Sequence, residues 1–175
     1  MHLVRDTRSS MTAPAHEAAK HLPLATPSAR VVVANCITGP RHFSHWIASS
    51  FLATYATLSD VSGVQEFRLS RQADPAADHC LFISYTLWDD LGDFERWRTS
   101  AAFVAAHPTY TQFRKQFKLM KSIRYDIPAT EATTIDDHEL TVLDRLAADH
   151  PYLITGTEWT DEIRWTANPH ATLLG

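Results

Sequence analysis

VQEFRLSRQADPAADHCLFISYTLWDDLGDFERW, residues 64–97, holds two apolar-rich stretches, a turn between them and the opening of a helix. The first stretch alternates, with Val64, Glu66, Arg68 and Ser70 on one side and Gln65, Phe67, Leu69 and Arg71 on the other, which is the period of a strand. QADPAAD is rich in turn formers and predicts a hairpin connection. CLFISYTLW then returns as an antiparallel neighbour, dense in β-branched and aromatic side chains. After Trp88, the pair Asp89-Asp90 supplies an N-cap and negative charge suited to the start of a helix that contains Phe94 and Trp97. Thr99 or Ser100 can cap a second helix, AAFVAAH.

The flanking segments complete a pattern. Upstream, VVVANC is short and β-branched, a buried strand that TGP breaks. In RHFSHWIASSFLATYATL, residues Phe43, Trp46, Ile47, Leu52, Tyr55 and Leu58 recur at three- and four-residue steps, predicting an amphipathic helix with Arg41, His45 and Ser49 on its exposed face. Downstream, KSIRYDI reads as a last strand. The order strand, helix, strand, strand, helix, strand is the βαββαβ arrangement of a ferredoxin-like α+β domain, with helices on one face of an antiparallel sheet. Val31, Val33, Phe82, Ser84 and Trp88 alternate along their strands, and a second apolar face is expected to be buried against a second copy of the chain, giving a homodimer with sheets face to face.

At 175 residues the chain fits one domain of residues 30–128 with an N-terminal arm (1–29) and a C-terminal extension (129–175). The arm mixes Pro, Ser, Thr and Ala without periodicity. In the extension, DDHELTVLDRLAADH sets Leu140, Leu143, Leu146 and Ala147 at helical spacing, and YLITGTEWT predicts a strand. Hydrophobic residues make up 45% and charged ones 21%, so the fold is expected to hold by burial rather than by disulfides. A net charge of −4 argues against a nucleic-acid partner. No apolar run is long enough to span a bilayer and the first thirty residues lack a secretory core, so a cytoplasmic location is expected. Cys36 and Cys80 share no CxxC spacing and are expected to be reduced thiols. His42 and His45 lie three apart without an evident third ligand, and there is no Walker loop, GxGxxG or GxSxG.

LWDDLGDFERWRTSAAFVAAH, residues 87–107, resembles the pattern of the antibiotic biosynthesis monooxygenase (ABM) superfamily, whose members are dimeric α/β-barrel proteins. Within it, the chain resembles the haem-degrading monooxygenases of the iron-regulated surface determinant type over roughly residues 30–128. The resemblance implies a dimer of ferredoxin-like units with haem in each cleft between sheet and helices. It also implies a functional trio: Asn35 on the first strand, Trp97 on the helix after the third strand, and His107 ten residues beyond. Haem would be both substrate and cofactor, opened by O2 with electrons from an external reductase, and Arg96 and Arg98 would meet its propionates.

The residue types suit those roles. A neutral imidazole is a common haem ligand, so His107 would be axial to the iron. The Asn35 amide can hydrogen-bond an iron-bound oxygen or a haem edge, and an indole pressed on the macrocycle can distort it. Each residue also has a structural reading: Trp97 as core, His107 as a helix cap, Asn35 as a partner of nearby backbone, and Arg96 and Arg98 as a wet surface. Two further functions stay open. One is a cofactor-independent ABM-type monooxygenase acting on a polycyclic aromatic substrate, with His107 as base; the other is a dimer that binds haem or a small apolar ligand without turnover.

Overall fold

The computed structural model describes residues 29–106, 119–130 and 132–167. Five strands, β1 (Val31–Pro40), β2 (Val64–Gln72), β3 (His79–Trp88), β4 (Lys121–Pro128) and β5 (Trp159–Thr166), form one antiparallel sheet in the order β4-β1-β3-β2-β5. Helices α1 (Ser44–Tyr55), α2 (Leu91–Arg98) and α3 (Ala101–Ala106) connect the first four strands, and α4 (Glu139–Asp149) precedes β5. The first four strands carry the ferredoxin-like order 4-1-3-2, and the expected fold class stands. Residues 1–28 of the expected arm (1–29) and His107 lie outside the described residues.

Side-chain alternation splits the core into two layers. Val31, Val33, Phe82 and Trp88 pack with Ile47 of α1 and with Phe94 and Trp97 of α2. Val32, Ala34, Cys36, Leu81, Ile83, Tyr85 and Leu87 pack on the opposite face with Val142 and Leu146 of α4 and with Leu153. This corrects the expected role of the alternating residues: Val31, Val33, Phe82, Ser84 and Trp88 face the helices, and the chain's own extension occupies the opposite face, where a second copy was expected. The physical argument for sheets paired face to face between two copies is thereby removed.

Two local details shift the expected faces. A β-bulge between Val64 and Glu66 places Val64 in the same layer as Phe67 and Leu69, although strict alternation separates them. On α1 the buried stripe is Ile47, Thr54 and, just beyond the helix, Leu58, with Phe51 half-buried between them, at steps of four, three and four. Leu52 lies one residue off that stripe and is 57% exposed, contrary to the expected pattern. The turn into β2 needs glycine: Gly63 has φ +86°, and a Cβ there would meet the Asp93 carboxylate.

The extension is attached by charge as well as by apolar contact. Arg68 of β2 is 2% exposed, with its guanidinium 4.7 Å over the Tyr85 ring. It pairs with Asp136 and, at 3.1 Å, with Glu139, at the start of α4. Gln72 donates to the Leu153 carbonyl at 3.2 Å and accepts from the Thr155 amide. Ser70 donates to Asp161 of β5 at 2.9 Å. The predicted strand at YLITGTEWT begins late, at Trp159, because residues before it form turns that reach Gln72.

Candidate functional site

The sheet's helix-facing side does not close completely. Between β1, β3 and the helices lies a cavity of about 740 Å³. Asn35, Ile37, Ser84 and Thr86 form its floor, Trp46 and Phe51 of α1 one wall, and Phe94, Trp97 and Phe103 the other. Lys121, Arg124 and Arg98 stand among its lining residues from β4 and the end of α2. Most of this surface is carbon, which suits a flat apolar ligand with a few polar points.

The aromatic wall follows from how α2 starts and stops. The Asp90 side chain accepts from the Asp93 amide at 2.8 Å, capping α2 as its sequence predicts. At the other end Thr99 donates to the Glu95 carbonyl and Ser100 donates to that of Trp97, while Ser100 also accepts from the Phe103 amide at 3.1 Å. These hydroxyls end one helix and cap the next, bending the chain so that α3 turns Phe103 back onto Trp97. The two rings meet perpendicularly with centroids 4.8 Å apart. Trp88 at 5.5 Å and Phe94 at 6.2 Å back the indole, which is 9% exposed.

Asn35 is half-buried at the middle of β1, opposite Ser84 of β3 on one side and Arg124 of β4 on the other. Its amide makes no hydrogen bond to another described residue, and it lines the cavity. Asn35 and Trp97 therefore share one chamber. His107 follows α3 directly but lies outside the described residues.

The arginines divide. Arg96 is largely exposed, pairs with Asp93 and is not among the cavity's lining residues. Arg98 lines the cavity and pairs with Glu95 at 2.8 Å. Arg124, which sequence reading did not single out, pairs with Glu95 at 2.9 Å and Asp126 at 2.7 Å and lies 4.5 Å over the Phe94 ring. Hydrogen bonds from Arg98 and Arg124 hold the Glu95 carboxyl below its ordinary range. Ser84 was likewise missed as a site residue; with Thr86 it sets two small hydroxyls between Phe82 and Trp88 on the helix-facing side of β3. Burial pushes the Cys36 thiol up to about 12, and both cysteines are unpaired and buried, the reduced state expected of them. Among the described residues no cluster of three His, Cys, Asp or Glu side chains is placed to hold a metal, and no helix is long and apolar enough to cross a membrane.

Residues 31–109 match the family model described as antibiotic biosynthesis monooxygenase, which supports the superfamily resemblance. No curated protein matches the chain. Among solved structures, the chain is similar to PA3566 from Pseudomonas aeruginosa, at 16% identity and TM-score 0.44 over 59% of this chain and 97% of that one. It is also similar to SnoaB, a cofactor-independent oxygenase from Streptomyces nogalater, at 21% identity and TM-score 0.41 over 60% of this chain and 97% of that one. A dimeric protein of unknown function with a ferredoxin-like fold from Bacteroides fragilis matches at 17% identity and TM-score 0.40, over 56% of this chain and 96% of that one.

Proposed function

We propose that this chain, with its ABM-type segment at residues 31–109, is an oxygenase acting on a flat, fused-ring aromatic substrate held between sheet and helices. The observation that carries the reading is the convergence of the Asn35 amide and the Trp97 ring system on one largely apolar cavity of about 740 Å³. That space suits several fused rings, with aromatic walls to pack their faces and an amide to meet an oxygen at their edge.

The chemistry needs no external reductant. A ring methylene made acidic by a nearby ketone loses a proton to give an enolate. The enolate's electron-rich ring system reduces O2. Conversion of the methylene to a carbonyl releases four electrons, which one O2 accepts, leaving one oxygen atom in the product and the other in water. Asn35 would donate to the enolate oxygen, where a hydrogen bond shielded from water stabilises developing charge most. His107 is the proposed base.

Haem as substrate is the second reading, favoured by the size of the cavity and by Arg98 among its lining residues, where a propionate could be met. The described lining includes no imidazole, so the axial ligand of this reading would be His107, with O2 and an electron-donating reductase as further requirements. The homodimer belongs with both readings as a proposal, formed through a surface other than the face that α4 covers.

Oxygen uptake with anthrone as the probe tests the proposal. Purified protein without added flavin or metal is expected to consume one O2 per anthrone and to yield anthraquinone. Asn35→Ala is expected to slow turnover by about 10²-fold, the order seen when a donor to a developing oxyanion is removed. Absence of turnover, together with a Soret band on adding haemin that His107→Ala abolishes, would move the assignment to haem.

A further inference from the structure

Most hydroxyls that line the cavity are already engaged with backbone. Ser50 donates to the Trp46 carbonyl at 2.9 Å, Thr54 to that of Ser50 at 3.2 Å, and Thr86 to that of Val33 at 3.3 Å. Ser84 differs. It is 3% exposed, lines the cavity, and hydrogen-bonds to no other described residue. It lies directly opposite Asn35 in the β1–β3 ladder, whose amide is unengaged in the same sense. Side chains directly opposite in such a ladder stand with Cβ atoms about 4.5–5.5 Å apart, close enough for two donors to reach one oxygen. Their neighbours on the same face include the apolar Val33, Ile37 and Phe82, with Thr86 already bound to the Val33 carbonyl and Arg124 opposite Asn35 on β4. A hydroxyl and an amide side by side and open to the cavity lose water when a ligand enters, which is costly unless the ligand completes their hydrogen bonds.

We propose that Asn35 and Ser84 together form a two-donor cradle for a ring oxygen of the ligand, which makes Ser84 a specificity-determining residue for fused-ring ketones over the parent hydrocarbons. The inference rests on the cavity being the substrate site. A ketone oxygen accepts from both the Ser84 Oγ–H and the Asn35 Nδ2–H₂, whereas a methylene in its place leaves both donors buried and unpaired. Discrimination of this kind comes from unsatisfied groups in the site as much as from bonds gained.

The pair 9-fluorenone and fluorene tests it, since the two flat tricycles differ only by a carbonyl in place of a methylene and neither is consumed during equilibrium dialysis. The full chain is expected to bind fluorenone at least about fivefold more tightly than fluorene. Ser84→Ala is expected to weaken fluorenone about 3- to 10-fold, the range of one neutral hydrogen bond, and not to weaken fluorene, which no longer strands that donor. Ser84→Cys, a weaker donor of similar size, is expected to fall between them, and thermal unfolding checks that each variant folds. If both probes bind and Ser84→Ala weakens neither or both equally, the cradle is overturned while the site stands. If neither binds to the wild-type chain, the site reading fails and the cradle with it.

Discussion

Asn35 sits where a strand buried between two layers would ordinarily carry an apolar residue, and its flanking positions Val33 and Ala34 are 0% exposed. Its amide contributes no described hydrogen bond, so Asn35→Ala is expected to change stability by less than about 1 kcal/mol while lowering anthrone turnover. Thermal unfolding and oxygen uptake on the same preparation separate the two effects. Trp97 combines both roles, because its ring is a cavity wall and also packs on Trp88, Phe94 and Phe103. Trp97→Ala is expected to cost about 3–5 kcal/mol, and denaturant unfolding measures it. Trp97→Phe keeps most of that packing and is expected to fold while losing turnover. Asn35 and Trp97 were singled out in the sequence through the family resemblance, and the fold lines one cavity with both. Ser84 was not, since a small hydroxyl on a strand announces a cavity only when the residues above it are known.

At the scale of elements, the attachment of β5 carries a pH dependence. Burial acts to raise the Asp161 carboxyl, but hydrogen bonds from Arg164 and Ser70 outweigh it and hold the group below its ordinary value of 3.8. A carboxyl depressed on folding contributes stability above its unfolded value and loses it as pH falls through the folded one. Amide exchange in β5 is therefore expected to accelerate as pH falls below about 4, after correction for intrinsic rates, and the acceleration is expected to shrink in Asp161→Asn. An equal acceleration in both proteins would contradict this account. The hairpin, the caps of α2 and α3, and the helix of the extension could all be read from periodicity and capping residues. The bulge at Val64 and the offset of Leu52 could not, because each depends on which face the rest of the fold buries.

In the whole molecule the extension is what the sequence concealed. A helix of ordinary amphipathic pattern gave no sign that Val142 and Leu146, both 0% exposed, would cover the second face of the sheet. Without residues 129–175 that face would present Val32, Ala34, Cys36, Leu81, Ile83, Tyr85 and Leu87 to water. A chain truncated after Pro128 is expected to self-associate, which sedimentation velocity detects against the full chain, because an apolar surface of that extent does not stay solvated. A truncated chain that stays folded and monodisperse would contradict the covering role of α4. On the opposite side of the sheet the cavity is the feature on which the functional account depends. A crystal structure of the full chain with anthraquinone bound tests that most directly. The rings are expected between the Trp97 and Phe51 walls with one ketone oxygen at hydrogen-bond distance from Asn35. Rings seated elsewhere on the protein, with the Asn35 amide facing only solvent, would contradict it.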